Sequence, residues 1–302
     1  MSACPAAVVT TTSVPRTRTA IITGAATLLA ALVASGQEDL VERGEYLTHA
    51  GGCISCHTED ADDAIPLAGG RAMESPFGTF YSPNITPDAE TGIGAWSDDD
   101  FVNAFWEGVS PDGEHYFPSF PYTSYTGASR EDLLAIKAYL FSLEPVSKES
   151  PEHDLAWYMS TRLAAGGWKA INFEAARFAP DPERDEQWNR GAYLVRHLGH
   201  CGECHTPRST TGVLLAEQEM AGSNFGGENV PNISPHRTDG IGRWSASDID
   251  YFLEIGMLPD GDFTGSSMVA VIEDNTSKLT REDRLAIAAY LKSLPALEAA
   301  AD

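Results

Sequence analysis

Apolar residues recur at helical spacing in several stretches of the 302-residue chain. Residues 38–50 place Leu40 and Leu47 on a helix-compatible pattern that runs directly into a cysteine motif. Two later helices have capped starts, because Ser97 is followed by three aspartates and Ser129 by an Arg-Glu-Asp run before the next apolar residues. These patterns predict a mainly α-helical protein.

Two stretches interrupt the helical pattern. Residues 110–127 are rich in proline, glycine and aromatic side chains, and are predicted to form a loop. Residues 145–186 have prolines near both ends and predict an interdomain linker that packs across the domain interface. The alternative is a helix that lies on a membrane surface or docks a partner, because aromatic and basic side chains are mixed there. These side chains are Trp157, Tyr158, Trp168, Phe173, Arg162, Lys169 and Arg177.

The second half of the chain repeats the first at a distance of 148 residues. The identical positions include Asn84 and Asn232, Trp96 and Trp244, and the Gly-Ile-Gly runs at 92–94 and 240–242. A repeat of this size predicts a duplicated domain. The predicted divisions are an export segment at 1–36, a first domain at 37–144, a linker at 145–186 and a second domain at 187–302.

Each half contains one Cys-x-x-Cys-His motif. The two motifs consist of Cys53, Cys56 and His57, and of Cys201, Cys204 and His205. This is the c-type haem attachment pattern, in which two thiols form thioethers with the haem vinyl groups and the histidine supplies the proximal axial nitrogen. A Cys4 zinc site and paired disulfides are the alternatives, but neither predicts a histidine directly after both pairs. The sequence therefore predicts two covalently bound haem c groups.

The sixth iron ligand differs between the two halves. In the second half, Met268 lies in a predicted flexible loop before the last helix, where its thioether would complete a His/Met haem of relatively high potential. Met257 and Met220 are alternatives that lie less naturally, at a predicted helix end and before a glycine turn.

The equivalent of Met268 in the first half is Phe120, which cannot bind iron. His115, five residues earlier on the same loop, is the first candidate for haem 1 because a neutral imidazole is a competent ligand. Met73 and an open, five-coordinate iron remain as alternatives. A gas-binding haem 1 is a further, weaker hypothesis.

The repeated polar residues are candidates for haem propionate contacts. Asn84 and Trp96 in the first half, and Asn232 and Trp244 in the second, carry N–H groups that a buried anion needs. The alternative is that they cap turns and fill the core.

The net charge of −24 disfavours binding to nucleic acid or anionic lipid. It fits either simple solubility or docking to a basic redox partner. Arg16 and Arg18 precede an apolar run at 20–33, which predicts an export signal cleaved after Gly36, with an uncleaved anchor as the alternative. We therefore expect a periplasmic protein with at most peripheral membrane association.

Residues 194–208 and 76–88 resemble the multihaem cytochrome c subunits of periplasmic alcohol, gluconate and aldehyde dehydrogenases. The resemblance spans about residues 40 to 295 and implies two tandem cytochrome c-like domains, each wrapped around one haem. Three-haem members carry a further Cys-x-x-Cys-His domain and a C-terminal membrane-associating segment.

The expected function is electron transfer from a periplasmic dehydrogenase to a small cytochrome or terminal oxidase, rather than stand-alone catalysis. The alternative function is a dihaem redox enzyme that acts on a small substrate, such as thiosulfate or peroxide, at haem 1.

Overall fold

The computed structural model describes residue 1, residues 36–225 and residues 227–300. The predicted export segment therefore lies almost entirely outside the described residues. From Leu40 onward the described residues belong to one compact unit. The helices are α1 (residues 36–50), α2 (Cys53–His57), α3 (Asp98–Glu107), α4 (Tyr122–Tyr125), α5 (Arg130–Ser142), α6 (Arg162–Asn172), α7 (Glu186–Tyr193), α8 (Gly202–His205), α9 (Ala246–Ile255), α10 (Met268–Asp274) and α11 (Arg281–Leu291). The strands are β1 (Ala72–Ser75), β2 (Gly78–Tyr81), β3 (Asp154–Leu155), β4 (Ser223–Phe225) and β5 (Glu228–Val230).

The predicted helix start at Ser97 is confirmed, and an equivalent one occurs in the second half. The Ser97 hydroxyl accepts from the Asp100 amide at 3.1 Å, and the Asp100 carboxylate accepts from the Ser97 amide at 2.9 Å. Ser245 forms the same capping box at the start of α9. Both helices end at a glycine with positive φ, Gly108 and Gly256. The mainly helical prediction is therefore correct, and α3 and α9 are bounded by the same local chemistry.

Two small antiparallel sheets accompany the helices. In the first, β1 pairs with β2, and β3 adds to the other edge of β2 with Leu155 opposite Gly78. In the second, β4 pairs with β5. The segment predicted as a loop at 110–127 contains the one-turn helix α4, so that prediction holds except at Tyr122–Tyr125.

The segment predicted as a linker, residues 145–186, contains β3 and α6. Helix α6 lies against the first half, where Ala165 is fully buried with Phe80 and Phe117. The Thr161 hydroxyl caps α6 by accepting from the Ala164 amide. This part of the predicted linker is therefore an ordered element of the fold.

The same segment reaches the second half and also exposes apolar surface. The Trp168 indole N–H donates to the Thr211 carbonyl at 2.7 Å. The side chains left exposed are Trp157, Tyr158, Leu163 and Ile171. The domain boundaries at 144 and 187 stay predictions, because the compact unit includes both halves and the segment between them.

The duplication is visible in two close helix crossings. A Cβ built on Gly44 of α1 would lie 1.9 Å from the Ala135 carbonyl oxygen of α5, and one on Gly191 of α7 would lie 2.0 Å from that of Ala286 in α11. Neither crossing leaves room for a side chain, so each requires glycine. We call residues 37–144 the first half and residues 187–302 the second half.

The two halves exchange hydrogen bonds across their interface. In the second half, Asp283 pairs with Arg190 of its own half at 2.7 Å. The same carboxylate accepts the hydroxyl of Tyr46, from the first half, at 2.6 Å. The Tyr46 oxygen in turn accepts a hydrogen bond from the amide of Thr280, the N-cap residue of α11, at 3.2 Å.

The equivalent arrangement, with the roles of the two halves exchanged, occurs at the start of α5. Asp132 pairs with Arg43 of its own half and accepts the hydroxyl of Tyr193, from the second half, at 2.6 Å. The Tyr193 oxygen accepts from the amide of Ser129, the N-cap residue, at 3.1 Å. The halves are thus joined by two equivalent contacts that we call the Tyr–Asp exchange. Among the described residues, no helix has the length and apolar content needed to cross a membrane.

Candidate haem-binding sites

Both Cys-x-x-Cys-His motifs form short helices directly after a longer helix, as the sequence predicts for the first. Helix α2 carries the first motif and follows α1 through Gly52, whose φ is 67°. Helix α8 follows α7 and a π-helical turn, Leu194–Leu198. Each motif therefore follows a helix whose C-terminal part is buried.

The two motif histidines are held in the same way. The Nδ1 atom of His57 lies 2.8 Å from the Pro83 carbonyl oxygen, and that of His205 lies 2.7 Å from the Pro231 carbonyl oxygen. This contact fixes each ring and leaves Nε2 available to a metal. Burial lowers the pKa of both imidazoles, although the carbonyl contacts oppose it, so the rings are neutral donors. Sequence reasoning missed Pro83 and Pro231, whose signal is their repetition directly before the paired asparagines.

None of the four motif cysteines forms a disulfide. Burial raises the pKa of Cys53 and of Cys201 to about 12, and that of Cys204 to about 11, so the unmodified thiols are uncharged at neutral pH. Within the described part of the chain, no group of three or more His, Cys, Asp or Glu side chains is arranged to hold a metal ion. The geometry gives two thiols and one oriented imidazole at each motif, which is the donor set that a covalent haem requires.

The interface brings residues of the second motif into contact with the first half. Glu203, between Cys201 and Cys204, is buried and pairs with Arg208. Its Oε1 atom accepts from the Ser124 hydroxyl at 2.7 Å and from the Thr123 hydroxyl at 3.2 Å. A carboxylate with three such donors is fully compensated in its buried position.

The first motif has the reciprocal contact. The Asn275 amide of the second half donates to the Ser55 hydroxyl at 3.2 Å, and Ser55 occupies the position in its motif that Glu203 has in the other. The buried hydroxyl of Tyr125 donates to the Gly51 carbonyl at 2.6 Å, and its ring packs edge-on against His200, just before the second motif. The structure therefore places the two motifs on either side of one interface.

The predicted propionate donors divide into two groups. The Asn84 side-chain amide donates to the carbonyl oxygens of Val146 and Lys148, and its oxygen accepts from the Thr86 amide. The Asn232 amide donates to the Leu297 carbonyl. These contacts match the alternative that the asparagines organise turns, and a propionate contact by either stays a prediction.

Trp96 and Trp244 are half-buried against the main core. Neither indole N–H has a hydrogen-bond partner among the residues that the structure describes. The Trp244 ring also contacts Phe252 at 5.4 Å between centroids. The two tryptophans therefore retain the donors that the propionate prediction needs, and that prediction stays open.

Met268 is the first residue of α10 and is half-buried, whereas a flexible loop was expected there. The alternatives differ in setting. Met220 is 1% exposed and packs in the main core, with its methyl group close to Gly202 of α8. Met257 pairs across the following turn with Phe263.

The candidates for haem 1 lie close to α6 and the first sheet. The His115 ring packs on Gly166 of α6, where a Cβ would come within 2.4 Å of it, and its buried Nδ1 has no hydrogen-bond partner in the described chain. Burial, and secondarily the charge of Lys169, lower the pKa of His115, so its ring is neutral. Met73 lies on β1 opposite Phe80. Ligation of haem 1 by His115 stays a prediction.

Comparison with known proteins identifies the chain's relatives. No protein-family model matches it. A "Diheme cytochrome c-type" of Cereibacter sphaeroides is 44% identical, with 85% of this chain and 86% of the relative covered. The chain belongs to this family of multihaem c-type cytochromes.

Other members of the cytochrome family are longer. The gluconate 2-dehydrogenase cytochrome c subunit of Pantoea cypripedii is 39% identical over 93% of this chain and 65% of its own length. The cytochrome c subunit of the quinone alcohol dehydrogenase of Gluconobacter oxydans is 37% identical over 89% of this chain and 57% of its own length. The chain thus spans about half to two-thirds of these dehydrogenase subunits.

The cytochrome carries two covalently bound haem c groups, as predicted. When bound, each haem supplies an iron centre that gains or loses one electron. Each motif provides two thiols for attachment, and His57 and His205 present Nε2 from rings fixed by the Pro83 and Pro231 carbonyls. The surrounding buried side chains exclude water, which is one means by which a protein sets the potential of its haem.

Proposed function

We propose that this cytochrome accepts single electrons from a dehydrogenase in the periplasm and passes them to a downstream acceptor, either a small cytochrome or a terminal oxidase. Relatives named as gluconate and alcohol dehydrogenase cytochrome subunits support the donor. Export by the residues 1–36 signal is part of the proposal, since c-type attachment motifs and a net charge of −24 suit an exported soluble carrier.

The observation that carries the proposal is the juxtaposition of the two motifs. Glu203 of the second motif accepts hydrogen bonds from the first half, and Ser55 of the first motif accepts one from the second half. Two haems attached there share one rigid interface, so an electron can pass between them without movement of either half. This arrangement serves a carrier, because neither haem needs to bind a substrate for the transfer to occur.

We further propose Met268 as the sixth ligand of haem 2 and His115 as that of haem 1. The half-buried thioether at the start of α10 and the neutral, unpartnered His115 ring support the choice. The other candidate function, a redox enzyme with an open haem 1, is not favoured by the names of the relatives.

The test begins with protein matured in a periplasm. Mass spectrometry should show two covalent haems per chain, and Cys53→Ala or Cys201→Ala should each reduce attachment at its own motif only. Co-purification from the native host should then yield a dehydrogenase that reduces both haems when its substrate is added. Fewer than two covalent haems, or a co-purified dehydrogenase that leaves both haems oxidised, would contradict the proposal.

A further inference from the structure

An apolar surface of the second half has no cover in the described chain. It consists of Tyr251 and Ile255 on α9, and Met257 and Phe263 on the following turn, and we call it the α9 patch. Tyr251, Ile255 and Phe263 are 50%, 49% and 61% exposed. Tyr251 and Ile255 lie one turn apart on α9, Tyr251 and Met257 line the same shallow cleft, and the backbone of Met257 pairs with that of Phe263, so the four residues are neighbours.

The internal duplication shows what covers the equivalent surface in the first half. The equivalents of Ile255 and Phe263, 148 residues earlier, are Glu107 and His115. His115 packs on Gly166 of α6. The Lys169 ammonium of the same helix donates to the Glu107 carbonyl at 2.6 Å, at the C-terminal end of α3. Helix α6 therefore covers this surface of the first half. Its Gly166 contacts the turn that carries His115, and its Lys169 binds the C-terminal end of α3.

The second half has an equivalent carbonyl acceptor at the end of α9, but no helix of the described chain covers it. The Ile255 carbonyl, at the C-terminal end of α9, accepts no hydrogen bond within the residues that the structure describes. Such a terminus carries partial negative charge and favours a cation. Where the first half has Glu107 and His115, the second half has large apolar side chains, which favour burial against another apolar surface.

The segment that carries the α9 patch is acidic, although Asp250 and Glu254 of α9 pair with Arg281 and Arg284 of α11. No lysine, arginine or histidine occurs between Arg243 and Lys278, and seven aspartate or glutamate residues do. Asp260 and Asp262 are exposed on the turn beside the patch. A second copy of this chain would bring the same carboxylates to the contact, so like charges would oppose a symmetric dimer.

We propose that the α9 patch docks a helix of the donor dehydrogenase that carries apolar residues on one face and lysines along its edges. The apolar face would cover Tyr251, Ile255 and Phe263, and one lysine would bind the free carbonyl at the end of α9, as Lys169 does at α3. The patch lies on the segment that leads to Met268 at the start of α10. This inference rests on the proposed function for the identity of the partner, but not for the existence of the surface.

The test uses the matured dihaem protein and a synthetic helical peptide, LKKLLKLLKKLLKL, as the probe. The variant is Tyr251→Ser with Phe263→Ser. The matched control is Leu163→Ser with Ile171→Ser, which removes two equally apolar and more exposed side chains from α6. We expect the peptide to bind the wild type and the control alike, and the patch variant at least about tenfold more weakly.

A second variant, Asp260→Lys with Asp262→Lys, should weaken peptide binding without altering any apolar contact. Equal binding to the patch variant and the wild type, or a loss with the α6 control alone, would overturn the proposal. A dimer that disappears in Phe263→Ser, measured by sedimentation, would make a second copy the occupant and would also overturn it.

The rate at which the dehydrogenase reduces each variant distinguishes this inference from the proposed function. The dehydrogenase that reduces the wild type should reduce the patch variant at least about tenfold more slowly at limiting concentration, and the peptide should compete with it. Equal rates would reject the docking site while the carrier function stands. If no dehydrogenase reduces the wild type, the carrier function fails, and the peptide measurements still decide whether the patch is a binding surface.

Discussion

The motif histidines show how single contacts prepare the cofactor sites. His57 and His205 are each fixed through Nδ1 by a proline carbonyl, so the free Nε2 points in a defined direction before any metal is bound. Proline carbonyls suit this role, because the ring restricts the backbone that carries the acceptor. The two proximal histidines are therefore held alike, whereas the proposed distal ligands differ.

The first prediction concerns those distal ligands. Met268→Ala should make haem 2 high-spin and leave haem 1 unchanged, whereas His115→Ala should do the reverse, because each change removes one proposed axial donor. Electron paramagnetic resonance of the oxidised protein and carbon monoxide binding to the reduced protein measure both effects. Haem 1 should also have the lower potential, since imidazole stabilises ferric iron relative to a thioether.

Met73→Ala tests the alternative ligand and should leave haem 1 low-spin, since Met73 lies on β1 and packs with Phe80 and Phe117. A wild-type haem 1 that is already high-spin and binds carbon monoxide readily would reject His115 as its ligand. Such a haem would favour the enzyme hypothesis.

The second prediction concerns Asp283 and pH. Burial alone would raise its pKa, but hydrogen bonds from Arg190 and Tyr46 outweigh burial and lower it. A lowered folded pKa means that the carboxylate stabilises the fold above its ordinary pKa of about 3.9, and that this stability is lost as the pH falls through the folded pKa. Asp283→Asn should cost about 2 kcal/mol at pH 7 and much less in strong acid, as measured by denaturant unfolding.

The exposed Asp62 provides the matched control for this carboxylate. Asp62→Asn should change the unfolding free energy by less than about 0.5 kcal/mol at either pH. A cost for Asp283→Asn that is the same at pH 7 and in strong acid would show that its charge does not stabilise the fold.

At the scale of elements, the closest packing is where α1 crosses α5 and where α7 crosses α11. Both crossings depend on a glycine, and both lie beside the Tyr–Asp exchange, since Tyr46 comes two residues after Gly44 and Tyr193 two residues after Gly191. The helix crossing in each half thus positions the tyrosine that bonds to the other half. A change in helix packing within one half should therefore also weaken the contact between the halves.

The third prediction follows from the crossing. Gly44→Ala would place a methyl group 1.9 Å from the Ala135 carbonyl, so the helices must separate, at a cost of about 1–3 kcal/mol or more. Gly167→Ala, in α6, has nothing within 4 Å and should instead stabilise the protein by about 0.5–1 kcal/mol. Thermal and denaturant unfolding of the dihaem protein distinguish these outcomes. A neutral Gly44→Ala would mean that the crossing adapts more easily than its geometry indicates.

Local elements were predictable from the sequence, whereas the contacts between them were not. Helix starts at Ser97 and Ser129 follow from capping chemistry within four residues, and the motifs follow from their spacing. The Tyr–Asp exchange joins Tyr46 to Asp283, 237 positions apart, and Tyr193 to Asp132, 61 positions apart, and no local pattern encodes such pairs. A helix in the 145–186 segment was predicted only as the alternative to a linker, because Gly166 and Gly167 weaken the helical pattern of α6, although Thr161 is an N-cap signal.

At the scale of the whole molecule, net charge affects how fast the protein meets its electron donor. The protein carries −24, and the α9 patch lies within the segment that has no basic residue. Opposite charges accelerate encounter over distances comparable with the screening length, which is about 10 Å at 0.1 M salt. A basic donor should therefore be attracted to the protein before apolar contacts form.

The fourth prediction is that the bimolecular rate of electron transfer from the donor falls steeply as ionic strength rises. Stopped-flow reduction of the haems at several salt concentrations measures it. The unimolecular step between the haems should not change with salt, because the motifs face each other across a buried interface. A bimolecular rate that is flat from low to high salt would leave solubility as the only role of the charge.

The hydrogen bonds between each motif and the opposite half affect the order in which haem attachment and docking of the halves can occur. Ser55 and Glu203 hold contacts from the other half, and Cys53 is buried. The machinery that attaches haem has to reach the Cys53 thiol, so we expect attachment at the first motif to precede the closing of the interface. A chain whose halves closed early would then lack haem 1.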